Sequence, residues 1–193
     1  MEPRRNAPGS IIDAHHHLWN RGRHPQPWID PVSMAKIDAD FGPGDLAAQT
    51  RTSGVRGTVV VQSIHSEAET SDLLSTAAHS ELIMGVVGWV DIATPDVTDR
   101  IRRLRTMPGG GKLVGIRHLV QNEPDPVFLE RGDIRRGIAA VADAGLVFDL
   151  VIRHHQLPAV VELVAGQGRS SATAHLTDPP PRLSSVKSTN TGV

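Results

Sequence analysis

Asp13-Ala14-His15-His16-His17 closes a short apolar run, Ile11–Ala14. On an extended segment, side chains two positions apart share a face. His15 and His17 therefore present two imidazoles to one point, and His16 points elsewhere. Imidazole is a ligand for zinc and similar ions and also a good hydrogen-bond partner for a carbonyl. The pair reads as two ligands of a divalent metal or as two polar contacts to a substrate. A histidine cluster in a surface loop is the plain alternative. Catalytic zinc typically takes three protein ligands, so a metal centre requires further donors from distant positions.

Polar residues also follow the other apolar runs. They are Gln62 and His65, then Asp91, then Arg117, His118 and Gln121, and finally Arg153, His154 and His155. Arg117 offers a planar, permanently charged fork suited to a carboxylate or carbonyl. It meets a substrate, or it forms a structural salt bridge with Asp91 or Asp149. His118 orients a scissile carbonyl or bonds a backbone carbonyl in the core. Gln62 and Gln121 bind substrate or cap loops. Trp19 and Trp28 wall a pocket or pack in the core, the commoner role of Trp.

The elements that must position these groups are visible as short Val/Ile-rich runs: Ile11–Ala14, Gly57–Gln62, Ile83–Val90, Leu113–Ile116 and Val147–Ile152. Runs that are apolar almost throughout suit strands covered on both faces. Helical punctuation lies between them. Ser66 with Glu69 forms a capping box for 66–79. Thr94 before Pro95 reads as an N-cap with proline at the first helical position. Asp133 caps a helix that stops at Gly145, Gly54 ends a helix over 43–53, and a last helix covers 157–165. The alternation predicts an α/β protein with a parallel sheet and crossover helices. A doubly wound nucleotide fold wants a glycine-rich turn after a strand, and no G-x-G-x-x-G follows any strand here. Gly109–Gly111 precedes a strand and reads as a loop. A (β/α)₈ barrel carries its chemistry at the C-terminal strand ends, where the polar residues fall.

Composition excludes several classes. The chain has 193 residues with 20 Lys+Arg against 21 Asp+Glu, so it lacks the positive charge that nucleic-acid binding rests on. It has no cysteine, which rules out disulfides, thiolate metal sites and thiol nucleophiles. Aromatic residues are 3% with no tyrosine, so single-strand stacking platforms are not expected. Neither a signal peptide nor a membrane-spanning run is read from the sequence, and the expected location is the cytoplasm.

Five segments in barrel order carry a family resemblance: IIDAHHHLW at 11–19, VVVQS at 59–63, GVVGWVD at 85–91, GIRHLVQNEPDP at 115–126 and FDLVIRHHQLPAVVELV at 148–164. Together they resemble the amidohydrolase superfamily, and within it the amidohydrolase-related family 2 proteins that include sugar-lactone and dicarboxylate lactonases. The resemblance implies a (β/α)₈ TIM barrel and hydrolysis of a lactone or related carbonyl compound. It implies one divalent metal, zinc above all, or a metal-independent reaction as in some lactonases. His15 and His17 match the first-strand pair, as metal ligands or carbonyl-polarising groups. Arg117 and His118 match the fourth-strand Arg-His, and His154 the polar end of the fifth strand. The implied roles are catalysis for His118 and His154, substrate binding for Arg117, Gln62, Gln121 and Trp19, and metal binding for His15 and His17.

The resemblance also implies features that this chain does not repeat. A sixth strand should end in an Asp-His-x-Gly-Lys-Pro block. The corresponding stretch, 170–181, contains His175 but no preceding apolar run and no glycine-lysine. The eighth-strand Asp has no counterpart, and Asp178 is a poor substitute. The sequence thus predicts about five βα units of a barrel over 10–166, a disordered N-terminus over 1–9 and an irregular tail over 167–193. It reads as a truncation or frameshift of the full pattern, with impaired chemistry, or as an inactive fragment that binds. Open sheet edges in such a fragment favour self-association.

Overall fold

A computed structural model describes residues 11–166 and 172–176. The strands are β1 (Ile11–His16), β2 (Val55–Val61), β3 (Ile83–Gly88), β4 (Leu113–His118), β5 (Val147–Ile152) and β6 (Ala172–Leu176). They form one sheet in the order β1-β2-β3-β4-β5-β6, and every neighbouring pair is parallel. Each parallel step requires a crossover. The crossovers carry α1 (Pro43–Thr50), α2 (Glu67–Ala78), α3 (Val97–Thr106), α4 (Gly132–Asp143) and α5 (Leu157–Gly166). The sheet is a curled half-barrel, the partial TIM barrel that the alternation predicts.

β6 is the departure from the five-strand reading. Its residues, Ala-Thr-Ala-His-Leu, carry no Val/Ile run. Its strand character comes from its neighbour, with five parallel pairs from Phe148↔Ala172 to Ile152↔Leu176. Strand preference is set largely by what the strand packs against, and a single sequence does not show that. The rest of the predicted tail and the predicted disordered N-terminus lie outside the described residues.

Local chemistry explains the helix ends. The Ser66 side chain accepts from Glu69 N–H at 3.1 Å, one half of the predicted box. The Glu69 carboxylate instead accepts from Ser63 and Ile64 N–H and binds the α2 start to the end of β2. α3 begins at Val97, after Asp96, because Thr94 and Pro95 are spent in the preceding turn, where Thr94 Oγ1 donates to Asp91 O. The Lys112 ammonium donates to the Ala77, Ser80 and Ile83 carbonyls at 2.7–2.8 Å. A cation there also complements the negative end of the α2 dipole.

The core lies between the convex face of the sheet and the helices. Ile116, Phe148, Leu150 and Ile152 meet Ile134 and Ile138 of α4 there, all nearly inaccessible to solvent. α4 approaches so closely at Gly137 that a Cβ would stand 2.0 Å from Ile92 O. Backbone cannot yield as a flexible side chain would. Gly137→Ala is therefore expected to destabilise the fold by about 1–3 kcal/mol, read as a lower urea midpoint. Among the described residues no helix is long and apolar enough to cross a membrane.

Candidate functional site at the C-terminal strand ends

Strand alternation sends the side chains of Arg117 in β4 and Asp149 in β5 to the concave face. Arg117 and Asp149 face each other there, 3% and 5% exposed, with Arg117 Nε donating to Asp149 Oδ2 at 2.7 Å. The two Nη atoms of Arg117 lie 3.2 and 3.3 Å from the ring nitrogens of His15. His15 and His17 do converge, their Nε2 atoms 3.2 Å apart. β6 brings His175, whose Nε2 is 3.0 Å from Asp149 Oδ1 and whose ring stands edge-on to His15 at 5.2 Å. Four strands thus bring together His15, His17, Arg117, Asp149 and His175. A cavity of about 300 Å³ opens beside them, floored by Val61, Val87 and Val114.

Burial, then the Arg117 charge and the neighbouring imidazoles, lower the His15 pKa from 6.5 to about 4, against a raising effect of Asp149. Burial also lowers that of His17. Both rings are neutral at pH 7, the form that binds metals. His17 Nδ1 lies 2.9 Å from Val61 O, which only accepts, so Nδ1 carries the proton and the Nε2 lone pair faces His15. A backbone carbonyl holding the far nitrogen is the usual support of a histidine ligand. Two imidazole nitrogens 3.2 Å apart also suit one tetrahedral ion bound at about 2.0–2.1 Å. The donor set fits a zinc-like ion, with Arg117 as a fixed positive neighbour.

His118 points the other way. It belongs to a second group on the helix side of the strand ends, built from four rings in a row, with His65 and His118 tilted by 35° to each other. Trp89 lies 5.3 Å from His65, His65 4.4 Å from His118, and His118 4.9 Å from Phe128. His118 Nε2 is 2.7 Å from Glu123 Oε1, and Leu119 N–H donates to His65 Nε2 at 3.0 Å. One nitrogen of each histidine and a Glu123 oxygen lie within 4.8 Å of one another.

The other sequence candidates are scattered. Gln62 is 1% exposed, and neither atom of its amide has a partner among the described residues. Gln121 lies in the turn after β4, where its backbone carbonyl accepts from Arg153 Nε at 3.4 Å. Trp19 is half-buried in the first loop, edge-on to Trp28 and Phe41, with Nε1 donating to Ala39 O. His154 is exposed in the turn after β5, edge-on to His155. Asp149 enters the concave group as the anticipated salt-bridge partner of Arg117. His175 was visible only as a histidine in the right place in the order. Glu123 gave no signal beyond the NEPDP segment.

The lowered histidine values set a pH dependence. Burial and then His118 lower the His65 pKa from 6.5 to about 4, as for His15. The unfolded chain takes up these protons near 6.5 and the folded chain resists until about 4, so stability falls as pH drops through that window. Urea midpoints are expected to decline from pH 7 to pH 4.5, with a shallower slope in His65→Gln. An unchanged slope would exclude His65 as a contributor.

The amidohydrolase family profile matches residues 12–166. The L-fucono-1,5-lactonase of Burkholderia ambifaria is 35% identical over 150 residues, covering 78% of this chain and 50% of that protein. The L-fucono-1,5-lactonase of Burkholderia multivorans is 32% identical over 150 residues, covering 77% and 49%. The chain thus spans about half the length of these relatives. An amidohydrolase crystal structure from Burkholderia multivorans with bound zinc superposes with a TM-score of 0.76 at 29% identity, covering 84% of this chain and 56% of that one. A probable 2-pyrone-4,6-dicarboxylic acid hydrolase from Acinetobacter baumannii, at 15% identity and a TM-score of 0.61, shares the fold.

Proposed function

The chain belongs to the amidohydrolase family, and from that premise we propose that its concave histidine–arginine group hydrolyses lactones of sugar acids. Water adds to the ring carbonyl, the ring C–O bond breaks, and the product is a hydroxy acid that releases a proton. The observation that carries this reading is the convergence of His15, His17, Arg117, Asp149 and His175 beside an open cavity. The lactonase names of the relatives direct it to that substrate class.

In this reading Arg117 takes the carbonyl oxygen. Its Nε is committed to Asp149, which fixes the guanidinium plane and leaves the Nη edge toward His15, whose ring lines the cavity. Fixed donors aimed where charge develops stabilise the tetrahedral state. Asp149 Oδ1 also lies 3.0 Å from His175 Nε2, so in this scheme the carboxylate faces that nitrogen and the other ring nitrogen of His175 takes the proton of the attacking water. His15 and His17 would hold a divalent ion, zinc being the ion in one structural relative. When bound, such an ion polarises the carbonyl and makes its water more acidic. Without one, His15 and His17 are the polar wall against which the lactone seats. Gln121 and His154, at the same strand ends, are proposed as contacts to the outer part of the substrate. Gln62 and Trp19 have no direct role in this scheme.

The substrate is a small molecule and the proposed location the cytoplasm. The described residues supply six of the eight strands of a closed barrel. The outer edges of β1 and β6 are unpaired among them, and Ile12, Met84 and Val114 remain 41–57% exposed. We therefore expect the isolated chain to self-associate, seen as a light-scattering mass above that of the monomer. The activity is tested by proton release from a panel of sugar-acid 1,5-lactones, with and without zinc after chelation. Turnover that His17→Ala lowers at least tenfold supports the reading. No turnover on any lactone by folded protein, with or without zinc, overturns it.

A further inference from the structure

We propose that His65, His118 and Glu123 form a second cation site, separate from the His15–His17 pair, which takes a zinc-like divalent ion and ties the loop after β2 to the loop after β4. The three donor atoms lie within 4.8 Å of one another. Two imidazoles and one carboxylate form a familiar ligand set for zinc and its neighbours, leaving a position for water.

Several features prepare the site. The rings cannot swing away, because Trp89 backs His65 and Phe128 backs His118. His118 is 6% exposed, and its Nδ1 is buried without a partner among the described residues, so this histidine is only half satisfied. Burial keeps both rings neutral, which leaves a lone pair on each. The carboxylates of Glu123 and Asp91 both act on His65 and His118, so two negative charges face the rings. The charged neighbour Arg131 is paired with Asp133, and its guanidinium lies over the Phe128 ring, 5.8 Å from the centroid.

Entry of an ion replaces two contacts. The His118–Glu123 hydrogen bond, 2.7 Å, opens to the spacing of two ligands on one ion, and Leu119 N–H gives up His65 Nε2. The segment that must adjust is the short 3₁₀ turn at Val120–Asn122, followed by Glu123 and Pro124, with no regular helix to break. The site is independent of the lactonase proposal, since none of its residues belongs to the concave group.

Trp89 provides a local probe. Its ring is stacked on His65, whereas Trp19 and Trp28 lie together in the first loop. The experiment titrates the metal-free 193-residue chain with Co²⁺ alone, follows tryptophan fluorescence, and competes with Zn²⁺. Wild type should be quenched and then restored by Zn²⁺, and Trp89→Phe should lose that component. Glu123→Gln should weaken Co²⁺ binding at least tenfold, and the double variant His15→Asn/His17→Asn should retain it. A circular-dichroism spectrum identical to wild type establishes that each variant is folded. Should Glu123→Gln misfold, His65→Gln serves in its place. Quenching that survives Glu123→Gln or His65→Gln, that disappears with His15→Asn/His17→Asn, or that is absent from wild type overturns the second site. Loss of lactone turnover in the double variant with Trp89 quenching intact separates this proposal from the previous one.

Discussion

Arg117→Met should lower the stability of the chain by about 3–5 kcal/mol, measured by urea unfolding at pH 7. The size follows from burial. Arg117 and Asp149 are 3% and 5% exposed and share a 2.7 Å bond on the concave face. Removing the guanidinium strands a carboxylate that water can barely reach. A solvent-exposed pair would lose under about 1 kcal/mol in the same experiment. His175 touches the other Asp149 oxygen but is itself 40% exposed, so it offsets only part of the loss. Asp149→Leu should cost about as much for the complementary reason, a buried cation left without its anion. The double variant Arg117→Met/Asp149→Leu should recover most of the stability, because a buried ion pair replaced by well-packed apolar groups is often neutral. Small single effects that simply add would show that the pair is solvated and that the concave group is not preorganised.

That pair also marks how far the sequence could be read. The β1 histidine pair was legible because strand alternation is a local rule, and His15 and His17 do face each other. The salt bridge from Arg117 was legible as one of two choices of partner, since Asp91 and Asp149 both follow or sit in neighbouring strands. Pairing β4 with β5 in register, Arg117 against Asp149, decided between them. The same alternation separates Arg117 from His118. Adjacent residues on a strand face opposite ways, so the Arg-His dipeptide serves two different groups. Sequence proximity had suggested one.

β6 was illegible for a different reason. A strand of Ala, Thr, Ala, His and Leu has little apolar surface of its own, and pairing with β5 makes it a strand. The second histidine group was hidden because its parts are far apart in the chain. His65 and His118 are brought together by parallel pairing across β2, β3 and β4, and Glu123 arrives by a turn. Long-range convergence of this kind leaves no period in the sequence.

The same weak strand carries the other large expected effect. His175→Ala should reduce kcat for lactone hydrolysis by about 10²–10⁴-fold with a smaller change in KM. Its Nε2 is 3.0 Å from Asp149 Oδ1 and its ring stands edge-on to His15, so it occupies the place of a base oriented by a carboxylate. Such a carboxylate holds the imidazole in one tautomer and stabilises the cation formed when it takes a proton. A residue that merely completes the β5–β6 pairing would be replaceable, because the five register pairs are made by backbone and do not require an imidazole. His175→Asn keeps a polar side chain of similar reach but cannot accept the proton at neutral pH. It should therefore resemble the alanine variant in kcat while unfolding at the wild-type urea midpoint. Added imidazole should restore part of the rate to His175→Ala by occupying the vacated space, with a dependence on free base that follows its own titration. Near-wild-type kcat in both variants would remove His175 from the proton transfer and leave β6 a purely structural strand.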